Sequence, residues 1–367
     1  MRRVGILTSG GDAPGMNAAI RAATAFLLSQ RVEVIGIQHG YKGLLAGRMA
    51  PLTAGDVDQI QREGGTVLGS ARCAEFVTIE GRNKAREILG AAGIEGLLVI
   101  GGNGSLTGAH KLIDPREAPG FGLRVIGVPA SIDNDVGLTG MSIGVDTAMN
   151  TIVEACDKIA DTASAHDRTF IVEVMGRDCG YLAMTAAVAA GADAVLFPES
   201  SKDEAAIVET VAKAVAKARS RSDRPKRVLV IKAEGTKVST ERLKEMVEAR
   251  FRDSFGEKLD TLEVRLTVLG HVVRGGRPSA FDRILGSRLA YVAVRALLAG
   301  ENDKMAAWLT PFPMPPASAS RSAADPYCWL VDLAAVLAET EAMHNGTSDL
   351  VRWRSDLFAS VEDVLPT

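Results

Sequence analysis

Three short segments join flexible backbone to oxygen ligands, and each follows a run of apolar, β-branched residues. The first is Thr8-Ser9-Gly10-Gly11-Asp12-Ala13-Pro14-Gly15-Met16-Asn17. The second is Gly101-Gly102-Asn103-Gly104-Ser105, and the third is Pro129-Ala130-Ser131-Ile132-Asp133-Asn134-Asp135. Glycine lets a backbone approach a phosphate closely, and a helix starting just after it offers N–H groups to an anion. Gly10 to Gly15 keeps the glycine spacing of a Walker A loop, but Met16 and Asn17 stand where that loop has Lys and Ser or Thr. Positive charge must then come from elsewhere, and taken alone this segment reads equally well as a tight, capped turn. A single Asp in the third segment would be read as an Asx turn or a helix cap. Two acids within three residues at a strand's end favour catalysis or metal binding. One would take a hydroxyl proton while the other helps hold Mg²⁺ or orients its neighbour.

Cations stand near further glycine turns. Arg72 closes Gly69-Ser70-Ala71-Arg72, and Arg177 closes Glu173-Val174-Met175-Gly176-Arg177. Beyond Lys232-Ala233-Glu234-Gly235, the stretch from Arg265 to Gly276 carries Arg265, His271 and Arg274. A guanidinium makes several simultaneous contacts to a phosphate. Any one Arg is more often a surface residue, and a lone His is more often structural. The set together suits a phosphorylated substrate.

The elements that must hold these turns follow from the apolar pattern. Residues 4–8, 32–38, 97–100, 125–128, 170–174, 194–197 and 227–231 read as strands. They are continuously apolar rather than alternating, as strands covered on both faces must be. Helical segments at 17–29, 145–163, 201–222 and 240–255 alternate with them, which predicts parallel sheets in three-layer α/β architecture. Ligands in such sheets bind where strands end and helices begin. Residues 311–324 read as a Pro-, Ser- and Ala-rich loop, and 326–365 as helical. The 367 residues suffice for two or three domains, and a formal net charge of −3 gives no electrostatic reason to expect nucleic acid. Four dispersed cysteines make neither a disulfide framework nor a zinc site. No stretch suits a signal peptide or a membrane span, so a cytoplasmic enzyme is expected.

At these residues the sequence resembles the 6-phosphofructokinase family, from Val4 to about Leu298. The likeness rests on the segments Leu7 to Arg21 and Gly64 to Arg72, and on GGNGS, SIDND, VEVMGR and TVLGHVVRGG, all in order. The resemblance implies phosphoryl transfer to the 1-hydroxyl of fructose 6-phosphate, with ATP as donor, Mg²⁺ as cofactor and pyrophosphate as the alternative donor. It implies that Asp133 is the base and that Ser131 contacts the sugar hydroxyl. Arg72 and the Gly11 amide would touch the transferring phosphate. Cys73, Gly102, Asn103, Gly104 and Ser105 would line the donor site. Arg168, Met175, Gly176, Arg177, Glu234, Arg265, His271 and Arg274 would bind the sugar phosphate. In the family Arg168 and Arg265 come from a neighbouring subunit, implying a homotetramer or homodimer with shared sites. The expected fold is two three-layer α/β/α Rossmann-like domains with mostly parallel sheets and the active site in the cleft between them. Residues 1–144 plus about 273–323 would handle the donor, about 145–272 the sugar phosphate, and 324–367 would form a helical tail.

The pattern is broken in places. Asn103 stands where the family usually has a magnesium-binding Asp, which opens the reading of a catalytically weak regulatory subunit and predicts a raised magnesium requirement. Members using pyrophosphate carry an Asp at the place of Gly104 and a Lys at that of Ala130, so ATP is favoured here. Ala25 and Ala160 stand where bacterial relatives place effector-binding arginines, so a weak effector response is expected.

Overall fold

The computed structural model describes residues 1–220, 226–255, 263–309, 319–321 and 325–362. Strands are β1 (Arg3–Ser9), β2 (Glu33–Ile37), β3 (Met49–Pro51), β4 (Gly96–Gly101), β5 (Arg124–Pro129), β6 (Thr169–Val174), β7 (Ala194–Leu196), β8 (Val228–Ala233), β9 (Val264–Val268), β10 (Lys304–Trp308), β11 (Ala319–Arg321) and β12 (Cys328–Asp332). Helices are α1 (Met16–Ser29), α2 (Gly40–Leu45), α3 (Ile79–Ala91), α4 (Asn103–Leu112), α5 (Val145–His166), α6 (Tyr181–Ala190), α7 (Glu204–Ser220), α8 (Thr240–Phe255), α9 (Ala280–Ala299), α10 (Leu333–His344) and α11 (Asp349–Glu362).

The chain divides into two compact units, residues 1–147 with 274–342, and residues 148–273 with 343–367. The first unit holds an eight-stranded sheet in the order β11-β12-β10-β5-β4-β1-β2-β3. Its centre is parallel, with Ser9 paired to Gly101 and Gly101 to Pro129, so β1, β4 and β5 end side by side at one edge. Helices α1 and α9 pack on each other, while α2, α3 and α4 form a separate group that also meets the central strands. A continuous core joins Leu7, Leu97, Val99 and Val125 of the sheet to Tyr41, Leu89 and Leu106 of that second group. The start of α5 is held from α9. Asp282, fully buried, accepts bonds from Gly144 N and Thr147 N at 2.8 Å and from Thr147 Oγ1 at 2.5 Å. Burial pushes its pKa up, against these bonds.

The second unit holds the parallel sheet β7-β8-β6-β9. Ile171, Leu196, Val230 and Val264 from its strands meet Val211 and Val215 of α7 and Leu243 and Val247 of α8. The sequence reading of three-layer α/β units with mostly parallel sheets therefore holds.

The chain's end departs from expectation. The segment from 324 is not an all-helical tail, because β12 pairs antiparallel with β10 and is covered by β11. Within the expected loop 311–324 the described residues 319–321 form β11, and the rest of that loop lies outside the described residues. Part of the end belongs to the first unit and part, from residue 343, to the second. The antiparallel strands β3, β11 and β12 all lie towards the outside of the large sheet. A short apolar run has no periodicity to separate it from helix.

Candidate active site

In the first unit the three oxygen-rich turns meet at one sheet edge. Gly10 adopts φ +88°, and a Cβ there would lie 3.2 Å from Ser105 Oγ, so only a residue without one follows this path at low cost. A Cβ on Gly101 would lie 2.5 Å from Ser9 O, and one on Gly102 would lie 3.6 Å from Ser131 Cβ. These approaches set the turn after β4 between those after β1 and β5. Asn103 is the first residue of α4, so Asn103, Gly104 and Ser105 form the helix's opening turn, where unpaired N–H groups and the dipole favour an anion. Ser105 Oγ is buried and has no hydrogen-bond partner among the described residues. The buried Tyr41 hydroxyl donates to Ser105 O at 2.7 Å, with its ring stacked on Phe76 at 3.8 Å, and burial pushes its pKa up.

The segment carrying Arg72 is tied to the same edge. Thr8 Oγ1 donates to Gly69 O at 2.8 Å and Ser70 Oγ donates to Gly10 O at 2.5 Å, with the exposed Arg72 two residues further on. Cys73 is half-buried and packs against the hydrophobic core. Arg274 belongs to the first unit. Its Nη1 donates to Asp12 O at 3.2 Å and would lie 2.7 Å from a Cβ on Gly11. After β5, Ser131 Oγ donates to Asp135 Oδ1 at 2.6 Å. Asp133 is half-buried, with Oδ1 shielded from solvent. The turn is fixed by the buried Asn134, at φ +50°. Its Oδ1 accepts from Ser142 N at 3.0 Å and its Nδ2 donates to Gly140 O at 3.1 Å.

In the second unit, Met175, Gly176 and Arg177 follow β6, and Glu234 follows β8. Gly235 N donates to Gly176 O at 3.1 Å and Glu234 N to Val174 O at 2.9 Å, which lays these turns side by side. His271 is exposed in the 3-10 turn Gly270–Arg274 after β9. Arg177, Glu234 and His271 are therefore exposed at the C-terminal ends of three adjacent parallel strands. Arg168 and Arg265 are not with them. Arg168 precedes β6, and Arg265, paired with Phe170, opens β9. Both guanidiniums pair with Glu263, Arg168 Nε at 2.6 Å. They stand towards the opposite edge: Arg168 is roughly 20 Å of strand from the level of Val174, and Arg265, level with Phe170, roughly 13 Å from it.

Beneath the edge carrying Arg177, Glu234 and His271 lies a group that sequence reasoning missed. Lys232, 1% exposed, donates to Glu173 Oε2 at 3.0 Å, and Thr240 Oγ1 donates to the same oxygen. The signal was one lysine ending the apolar strand β8.

The phosphofructokinase family profile matches residues 3–297. The chain belongs to the phosphofructokinase family. An ATP-dependent 6-phosphofructokinase of Natranaerobius thermophilus is 46% identical over 305 residues, which is 83% of this chain and 89% of that protein. One of Bacillus subtilis is 44% identical over 307 residues, 83% and 88% of the two chains. Among solved structures, the Saccharomyces cerevisiae phosphofructokinase has a TM-score of 0.82 at 30% identity, covering 99% of this chain and 50% of that one. This chain thus spans half the length of that structure's chain. A pyrophosphate-dependent phosphofructokinase of Marinobacter aquaeolei, 22% identical with a TM-score of 0.73, shares the fold.

The turn after β4 also leaves open space. A Cβ on Gly104 would meet nothing within 4 Å. No group of three or more His, Cys, Asp or Glu suited to a metal occurs among the described residues. All four thiols are free, and burial pushes Cys156 up to about 11 and Cys328 up to about 12. No described helix is long and apolar enough to cross a membrane.

Proposed function

We propose that this chain transfers the terminal phosphoryl group of ATP to the 1-hydroxyl of fructose 6-phosphate, giving fructose 1,6-bisphosphate and ADP, as a cytoplasmic glycolytic enzyme. One observation carries the reading. Asp133 stands at the end of β5, next to the glycine turns of β4 and β1 on the same edge. That juxtaposition offers a proton acceptor beside an anion cradle, which is what transfer to an alcohol requires.

Asp133 takes the proton from the sugar hydroxyl as its oxygen attacks phosphorus. Ser131 orients that hydroxyl and is itself held by Asp135. The Gly11 amide and Arg72 compensate charge on the transferring group. Gly102, Asn103, Gly104 and Ser105 receive the donor phosphates, and the open space at Gly104 is supported as room for a nucleotide rather than pyrophosphate. Asn103 and Asp133 would touch magnesium, which when bound neutralises phosphate charge. Arg177, Met175, Gly176, Glu234 and His271 bind the sugar phosphate, with Arg274 bridging to the Gly11 turn. Arg168 and Arg265, at the far edge of their own sheet, serve the site of a neighbouring subunit in a homotetramer or homodimer.

Purified protein with fructose 6-phosphate and magnesium, supplied with ATP or pyrophosphate in parallel coupled assays, tests this. Turnover with ATP and little with pyrophosphate is expected. The reverse preference would make the chain a pyrophosphate enzyme, and silence with both would overturn catalysis.

A further inference from the structure

The family profile stops at residue 297, so α11 lies outside it. Within the second unit, α11 nevertheless packs onto the elements bordering the sugar-phosphate turn. The Arg354 guanidinium stands 4.7 Å from the centre of the Tyr181 ring. Phe358, 5% exposed, meets Phe197 edge-on with centroids 5.6 Å apart. Both receiving rings abut the turn that leaves β6. Tyr181 opens α6. Phe197 leads into the short turn Pro198–Ser200, whose Glu199 accepts the Gly180 N–H at 2.7 Å. Gly180 is seated so closely that a Cβ would fall 2.5 Å from Phe197 Cβ and 2.7 Å from Glu199 Oε2. The turn's other end is gripped from β8, because a Cβ on Gly235 would fall 1.7 Å from Arg177 O. Residues 176–181 are thus clamped at both ends, and α11 backs one of the clamps.

We propose that α11 is a positioning element for the sugar-phosphate site. Through Arg354 on Tyr181 and Phe358 on Phe197 it holds residues 176–181 in the shape that presents Arg177. A turn ordered before its ligand arrives loses less entropy on binding. The donor turns belong to the other unit, so the effect is selective for the sugar phosphate.

The test uses the full chain with Arg354→Gln, Arg354→Lys and Phe358→Ala. Hydrogen exchange at the amides of 176–181 accelerates in Arg354→Gln and Phe358→Ala and returns towards wild type in Arg354→Lys. The KM for fructose 6-phosphate rises about threefold to thirtyfold while that for ATP stays within about twofold. The kinetic arm rests on the proposed kinase activity. The exchange arm does not, so an inactive wild type with accelerated exchange would sink the function and leave the brace standing. If Phe358→Ala unfolds, Arg354→Gln still decides, since it leaves the buried ring pair intact. Unchanged exchange in Arg354→Gln, or equal rises in both KM values, overturns the proposal.

Discussion

Ser131 and Asp135 engage each other at 2.6 Å, and this divides the work of the two acids that follow β5. Asp135 accepts from a hydroxyl, and under the proposed function Asp133 is the base. Asparagine at 133 keeps the shape and loses the proton acceptor. Asp133→Asn is therefore expected to lower kcat by ~10²–10⁴-fold with the KM for fructose 6-phosphate little changed. Steady-state kinetics check this, and near-normal turnover would remove Asp133 from the role. Asn103 gives a second residue-scale prediction. Its amide oxygen can touch a hard cation but contributes no charge. Asn103→Asp should lower the magnesium concentration for half-maximal rate by about threefold or more, read by titrating magnesium at fixed ATP. An unchanged curve would show that position 103 does not reach the metal.

At the scale of elements, what was legible in the sequence was what glycine and strand direction dictate. The turns after β1, β4 and β5 could be placed because Gly10, Gly102 and Asp133 each follow an apolar run, and parallel strands bring such ends to one edge. The contacts of Cys73 and Arg274 were less legible, because which way a side chain turns depends on neighbours distant in sequence: a hydrophobic core in one case, Asp12 in the other. β12 was missed since its five residues acquire strand character from β10 rather than from their own pattern. The buried contact of Lys232 with Glu173 was hidden for the same reason.

Helix α4 is fastened at its C-terminal end by a histidine–aspartate pair. His110, in its last turn, bonds Asp303 just before β10, with Nδ1 to Oδ1 at 2.8 Å. The Asp303 bond raises the His110 pKa, opposed by partial burial. A raised histidine pKa gives stability that is full below the unfolded value, about 6.5, and is lost as pH climbs through the folded value. The difference in Tm between wild type and His110→Gln should therefore be larger near pH ~6 than near pH ~9. A difference independent of pH would show that the pair's charge adds nothing.

For the whole molecule, the decisive asymmetry lies within the smaller sheet. Arg177, Glu234 and His271 crown one edge, while Arg168 and Arg265 share Glu263 at the other. Under the proposed function, the far-edge pair would serve the site of a neighbouring subunit. The resemblance implied such sharing. It follows that two inactive variants with defects on different sides of the shared site should rescue one another. Asp133→Asn lacks the base, and Arg168→Ala with Arg265→Ala lacks the lent cations. In hybrids, a site built on the arginine-deficient chain and completed by the base-deficient one is intact. Random exchange of equal amounts makes roughly a quarter of the sites intact. Dissociating and reassociating the mixed variants, then assaying at low fructose 6-phosphate, should recover activity well above the sum of the two alone. Recovery no greater than that sum, after subunit exchange has been verified by tagged capture, would mean that each chain completes its own site and that the pairing with Glu263 is only a surface ion cluster.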